Sequence, residues 1–327
     1  MVEDIKVGSS EQRFSMFVSE SFDPYCNLAY ENFLAQNLKT GESCLFFWTN
    51  ESSIFMGKFQ NPWAECGVTS FVEEGGKLLR RPTGGGCVYH DKGCLNFSFL
   101  HSERDFRKDF NNSIILEGLK SLGINASANP RGDLVHSGKK FSGNAFRRAK
   151  NYSIHHGTLL INTDLNKLNA TLCTQLGPIT TKALPSIRSK VLNLSELVHG
   201  LKVEDVVNSI WKALKDFRLV NESLVLVKPE LILAKNQLLM DLHQKFCSWD
   251  WIYGQTPKFN YQVGGHKVFV EKGLVSQFEL MESLAEECLI KGDLARYLGM
   301  PFDSFINETS DFRSSSNHLD PKHLPDQ

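Results

Sequence analysis

The chain has 327 residues, 41% of them hydrophobic and 22% charged, with a formal net charge of −1. This is the make-up of a soluble globular protein with room for one large domain and a smaller one. The near-neutral balance excludes bulk attraction to nucleic acid or an anionic membrane, and no apolar run approaches the roughly 20 residues that span a bilayer.

The start, Met1-Val2-Glu3-Asp4, is acidic and lacks both an apolar core and an Arg-rich stretch. It reads as neither a secretory signal nor a transit peptide. The expected setting is intracellular, mitochondrial in a eukaryote and cytoplasmic in a bacterium. Eight cysteines at 26, 44, 66, 87, 94, 173, 247 and 288 form no C-x-x-C pair. That spacing argues against a zinc site and against a small disulfide scaffold, and for reduced, mostly buried thiols.

Asp23-Pro24 reads as an N-cap with proline at the first helical position, opening a helix through Asn37. Cys44–Trp48 and Ser53–Gly57 are apolar runs around a polar turn and predict a hairpin. A short helix near Val68–Glu74 leads to a strand over Lys77–Arg81. Strands follow at Cys87–His90 and Leu95–His101. In the second of these, Leu95, Phe97 and Phe99 alternate with Asn96 and Ser98, as in a half-buried strand.

Phe106–Leu122 has helical apolar spacing, despite a Gly118 that costs about 1 kcal/mol relative to Ala. Asp133–His136 and Lys140–Gly143 flank a Ser-Gly-Lys turn and predict a hairpin. Ser153–Asn162 is a strand, Asp164 a cap, and Leu176–Lys190 a long functional loop. Val203–Phe217 is a helix. Trp249–Phe259 opens a second unit with hairpin strands over Val263–Val270 and Leu274–Phe278. The expected division is residues 20–225, then a small accessory domain over 240–303, then a polar, disordered tail over 304–327. Hairpins without regular βαβ alternation favour an α+β fold, a sheet with helices packed on it.

Three stretches carry chemistry. Arg80–Asp91 places two guanidinium groups before Gly84-Gly85-Gly86, where backbone amides can form an anion-binding nest. It matches neither a P-loop nor a G-x-G-x-x-G turn. Lys140-Phe141-Ser142-Gly143-Asn144-Ala145 offers a lysine just after a tight turn, on a segment with six basic residues and one acidic between Arg131 and Lys150. Activating a carboxylate with ATP needs such a positive charge between the acyl oxygen and the α-phosphate. His155-His156-Gly157-Thr158-Leu159-Leu160 is a strand whose adjacent histidines face opposite sides, so they cannot chelate one metal together.

Taken together, in order, these stretches resemble the lipoate–protein ligase A family, with its R-R-x-x-G-G-G-x-V-x-H-D loop, K-x-S-G-x-A lysine motif and H-H-G-T-L-L strand. Asn61-Pro62-Trp63, Ser186–Val191 and Trp249-Asp250-Trp251 also look like family segments, and the likeness covers roughly residues 20 to 275. Cys94 stands where many relatives carry Asn, and the region after Gly273 is hard to match.

The resemblance implies a mixed, largely antiparallel catalytic sheet with packed helices, shared with biotin ligases, plus a small C-terminal α+β domain. It implies that ATP and lipoate form lipoyl-AMP, and that the lipoyl group passes to a lysine of lipoyl domains. The partners implied are E2 subunits of 2-oxoacid dehydrogenases and the glycine cleavage H protein. Carried over residue by residue, Lys140 is the catalytic lysine, and Arg81, Gly84, Gly85, Gly86, Cys87, Val88 and Tyr89 contact ATP or lipoyl-AMP. Asp133 is a candidate on the ATP or metal side. Mg²⁺ would be held mainly by phosphate oxygens, with no site made by protein alone. Phe46, Phe47 and Phe97 could line the acyl slot, and closure of Leu176–Lys190 would shield the anhydride from water. Alternatives are a lipoyltransferase that takes a preactivated or protein-bound donor, with Cys173 as a conceivable nucleophile, and an inactive lipoyl-domain or nucleotide-binding protein.

Overall fold

The computed structural model describes residues 14–102, 107–174, 176–177, 179–220, 224–281 and 294–310. The fold is α+β, with mixed and antiparallel sheets and packed helices, as the sequence leads one to expect. Its contacts divide into two compact units, each woven from three chain segments. Met1–Lys58, Gly76–Ala170 and Ser186–Cys247 contribute to the first, and Phe59–Gly75, Thr171–Pro185 and Ser248–Gln327 to the second. Two stretches inside residues 20–225 therefore group with the second unit.

The first unit is built on a six-stranded sheet in the order Asn144–Arg148, Ser153–Leu160, Cys94–His101, Ser43–Thr49, Phe14–Ser19, Val225–Val227. The last two pairings are parallel and the others antiparallel. One face meets the helices Lys108–Ser121 and Val203–Asp216 through Phe47, Phe97, Phe99, Ile115, Leu119 and Ile210. A Cβ on Gly118 would lie 2.7 Å from the Ile210 side chain, so the glycine's propensity cost permits a close helix crossing.

The other face is covered by the helix Pro24–Asn37, capped by Asp23, whose carboxylate accepts the amides of Tyr25 and Cys26. Double coverage corrects one reading from the sequence: Cys94–His101 is buried at every position. Asn96 and Ser98 are polar because they bond inside the protein, Asn96 Nδ2 to the Trp48 carbonyl at 3.2 Å and Ser98 Oγ to Glu31 at 2.6 Å.

The expected hairpin over Cys44–Gly57 does not form. Ser43–Thr49 lies in the large sheet, whereas Ser53–Met56 pairs with Lys77–Arg80 and Val88–His90 in a separate three-stranded sheet. Both runs are buried throughout, so neither carries the alternation that reports a partner. The hairpin Leu134–His136 to Lys139–Ser142 does form, around Ser137 and Gly138, both with positive φ.

The second unit holds a four-stranded antiparallel sheet, Ile179–Thr181, Phe259–Val263, His266–Glu271 and Leu274–Leu280. Its aromatic centre is Trp63, which packs against Tyr253, Phe259 and Phe302 with ring centroids 5.5, 5.4 and 5.3 Å away. The Trp63 indole donates to Asp303 at 2.7 Å. Phe302–Glu308 is a helix with Phe305 and Ile306 buried, which corrects the expected disorder from residue 304. Residues 311–327 of that tail lie outside the described residues. Among the described residues no helix is long and apolar enough to cross a membrane.

Candidate active site

The strand Lys77–Arg80 delivers both arginines into the interior. Arg80 is fully buried and donates to the carbonyls of Gly57 and Lys58. Arg81 lies inside the glycine loop. Its Nε donates to Thr83 Oγ1 at 3.0 Å, one terminal nitrogen to the Phe55 carbonyl at 2.7 Å, and the other to the carbonyls of Gly84 and Gly86 at 2.7 and 2.6 Å. Desolvation pulls the guanidinium down to about 10, which leaves it charged at neutral pH.

The fork thus braces the loop from within instead of projecting from it. With two carbonyls drawn inward, the amides of Gly84, Gly85 and Gly86 meet no acceptor among the described residues. That is the nest arrangement an anion needs. Gly85 has φ +88°, open to glycine, and it sits against Gly57 so closely that a Cβ there would be 2.0 Å from its carbonyl oxygen.

From Thr83 a buried chain of hydrogen bonds runs to the core. Thr83 Oγ1 is 2.8 Å from His156 Nε2, and His156 Nδ1 is 2.7 Å from the fully buried Glu31. His155 faces the opposite side of the strand, between Asn111 and Asn144 at 3.1 and 2.9 Å, and burial holds it well below the ordinary histidine range. His90 accepts from Asn50 at 3.0 Å and stacks on Phe55 at 4.4 Å. Its buried Nε2 has no partner among the described residues, and desolvation pushes it down to about 3.

Of the remaining loop positions, Cys87 is buried and its amide donates to Ser186 Oγ at 2.8 Å. Val88 is half-buried. Tyr89 turns inward, its hydroxyl 3.4 Å from that of Ser52.

The lysine motif arrives on the strand Lys139–Ser142. Lys140 Nζ lies 2.9 Å from Asp133 Oδ1. Asp133 is held in turn by Asn129, whose side chain bonds both its amide and its carboxylate. Lys139 is exposed, on the other face of the strand, and the Lys140 side chain lies 3.0 Å from where a Gly143 Cβ would stand. The next strand brings Ala145 opposite His156 and within 3.7 Å of the space above Gly85. The segment from Ser186 ties both motifs, touching Gly86 and Cys87 at one end and accepting the Lys140 amide at Lys190.

Loop, lysine and His-His strand thus meet at one place in the first unit. Lys58 donates its amide to the Thr83 carbonyl, and burial, with the charges of Arg147 and Lys58, holds Lys245 below its ordinary value. The Asp133 carboxylate is shared between Lys140 at 2.9 Å and Arg131 at 3.7 Å. Phe47 and Phe97 sit in the main core, and Phe46 stacks on Trp48 and meets Tyr30 edge-on. Cys173 is exposed and belongs to the second unit. Glu31 and Gly57 escaped the reading of the sequence as site residues, and Thr83 and Ser186 were read only as members of longer stretches. A lone Glu at the centre of a helix that packs on a sheet was the available signal for the first.

Residues 23–215 match the family described as the lipoyl protein ligase A/B catalytic domain. Lipoate-protein ligase A of Bdellovibrio bacteriovorus is 36% identical over 259 residues, which span 77% of this chain and 75% of that protein. Among solved structures, Plasmodium falciparum LipL1 in complex with lipoate superposes with a TM-score of 0.64 at 30% identity, over 81% of this chain and 84% of the other. A lipoate-protein ligase A bound with ATP gives a TM-score of 0.60 at 26% identity, over 74% and 98%.

Proposed function

The chain belongs to the lipoyl protein ligase A/B catalytic-domain family, an enzyme of the lipoate–protein ligase kind, and on that premise we propose that it activates lipoate with ATP and transfers the lipoyl group to a lysine of lipoyl domains. The acceptors in this reading are E2 subunits of 2-oxoacid dehydrogenases and the glycine cleavage H protein. The observation that carries it is Lys140, whose ammonium pairs with Asp133 at 2.9 Å on a strand tied to the loop Arg81–Tyr89 through the segment Ser186–Lys190.

In the first step the lipoate carboxylate attacks the α-phosphorus, and the bond to the β-phosphate oxygen breaks to release pyrophosphate. Negative charge grows on the oxygens around phosphorus. The amides of Gly84 to Gly86 and the Lys140 ammonium supply fixed positive ends to it, with no reorganisation at the moment of reaction. Arg81 keeps those amides outward by holding the neighbouring carbonyls. Cys87, Val88 and Tyr89 continue the wall of the nucleotide site. Mg²⁺, carried by the phosphates, would offset charge on the leaving pyrophosphate, with Asp133 on that side. In the second step a neutral lysine amine of the acceptor attacks the lipoyl carbonyl, AMP leaves, and the nitrogen loses a proton. Lys140 then stabilises the oxyanion at carbon.

The test is lipoate-dependent exchange of labelled pyrophosphate into ATP, with Mg²⁺ present. Exchange is expected. Its absence, together with transfer from supplied lipoyl-AMP, makes the protein a lipoyltransferase. Failure of both reactions makes it a binding protein.

A further inference from the structure

A second group of chemically active side chains lies where the helix Pro24–Asn37 begins against the helix Gln237–Cys247, both in the first unit. Asp23, Cys26 and His243 offer a carboxylate oxygen, a sulfur and an imidazole nitrogen that all lie within 4.8 Å of one another. Cys247 adds a second sulfur, 3.8 Å from either ring nitrogen of His243. None of the four takes part in the chemistry above. We propose that Asp23, Cys26, His243 and Cys247 form a binding site for one divalent cation of the zinc class.

The donors come as two local pairs. Asp23 and Cys26 are the cap and third residue of one helix, and His243 and Cys247 stand one turn apart on one face of the other. Each pair alone is unremarkable, and packing brings them together. No C-x-x-C spacing announces such a site, because its halves are far apart in the chain. Two sulfurs, an imidazole and a carboxylate suit zinc and disfavour magnesium or calcium, which take oxygen.

The spacing fits as well. In a tetrahedral zinc site with ligand bonds of about 2.0–2.3 Å, neighbouring donors are about 3.3–3.8 Å apart. The separation between the Cys247 sulfur and the His243 ring already falls there, and Asp23, Cys26 and His243 close by roughly 1 Å through side-chain rotation, while Cys247, outside that 4.8 Å group, swings in from its place beside His243. His243 turns so that one nitrogen, rather than the edge between them, meets the ion.

The charge around the site also favours a cation. The Lys77 ammonium lies 2.7 Å from Asp23 Oδ2 and also pairs with Glu51. Releasing Asp23 leaves Lys77 with a carboxylate partner. Glu230 adds a further negative charge acting on Cys26. Asp23 Oδ1 keeps the amides of Tyr25 and Cys26, so coordination through Oδ2 leaves the helix cap in place. The ion would fasten the start of the first helix to Cys247, the last residue before the chain passes into the second unit.

The experiment titrates Co²⁺ into the full chain, reduced with a phosphine and stripped of metal. Thiolate-to-cobalt charge-transfer absorption and intense ligand-field bands of a tetrahedral ion are expected, saturating at one ion per chain and bleached by Zn²⁺. Cys26→Ser, His243→Ala and Cys247→Ser should each weaken binding by at least about tenfold, the lower end of what even supporting groups cost. Cys247 is exposed, so its variant keeps the test open if Cys26→Ser misfolds. Cys173→Ser should change nothing. No charge-transfer band in the wild type at excess Co²⁺ overturns the proposal. So does a band that survives Cys247→Ser, or one that disappears in Cys173→Ser.

Discussion

Gly57→Ala should cripple catalysis while leaving the protein folded. A methyl group at Gly57 would stand 2.0 Å from the carbonyl oxygen of Gly85 and 3.2 Å from the carbonyl carbon of Gly84, both backbone atoms. Carbon and carbonyl oxygen tolerate an approach of about 3.3 Å, so the loop must retreat by roughly 1.3 Å. The retreat works against Arg81, which holds the carbonyls on both sides of Gly85. Overpacking of this kind costs about 1–3 kcal/mol of stability, which a domain of ordinary stability survives. Catalysis is less forgiving, because a misplacement near 1 Å costs about 10²-fold in rate. The assay is single-turnover formation of lipoyl-AMP, with circular dichroism and thermal melting run on the same preparations. A rate within about threefold of wild type, with the melting temperature unchanged, would refute the claim that Gly57 sets the position of the loop.

Lys140→Ala should lose about 10²–10³ in adenylation, the usual cost of one preorganised donor. Lys140→Arg should recover little of it, since a planar fork cannot put a compact charge in the same place. Exposed Lys139 is the control, and a crippled Lys139→Ala beside an active Lys140→Ala would reverse the assignment. Histidine 90 makes a prediction in pH. Burial holds it at about 3 against an ordinary 6.5, so the stability it contributes is full above about pH 6.5 and is lost as pH falls toward 3. The melting temperature should drop between pH 6.5 and 5, where carboxylates stay ionised, and His90→Gln should reduce that slope. Equal slopes in the two proteins would show that His90 is not the titrating group.

The stretches that build the candidate site were legible because the chemistry they suggest is local. Two arginines before three glycines, or a lysine after a tight turn, declare a requirement within a few residues. What supports them was not legible, because it comes from elsewhere in the chain. Glu31 reaches His156 from a distant helix, and Ser186 meets Cys87 across a similar separation. The strand Cys94–His101 shows the same limit in the fold. Its alternation of apolar and polar residues looked like a face toward water, yet Ser98 points at a buried glutamate. Alternation reports a difference between two environments and does not say that one of them is solvent. The supposed hairpin failed for a related reason: two fully buried runs carry no mark of which strand each will join.

The interleaved segments of the second unit have a consequence for synthesis. Trp63 leaves the ribosome long before Tyr253, Phe259 and Phe302, the rings it packs against, have been made. Until then it is an exposed indole on a nascent chain, the kind of surface that chaperones hold and aggregates recruit. A premature stop anywhere before Phe302 therefore does more than delete a C-terminal module. It strands the early segments Phe59–Gly75 and Thr171–Pro185 without the core they were built to enter.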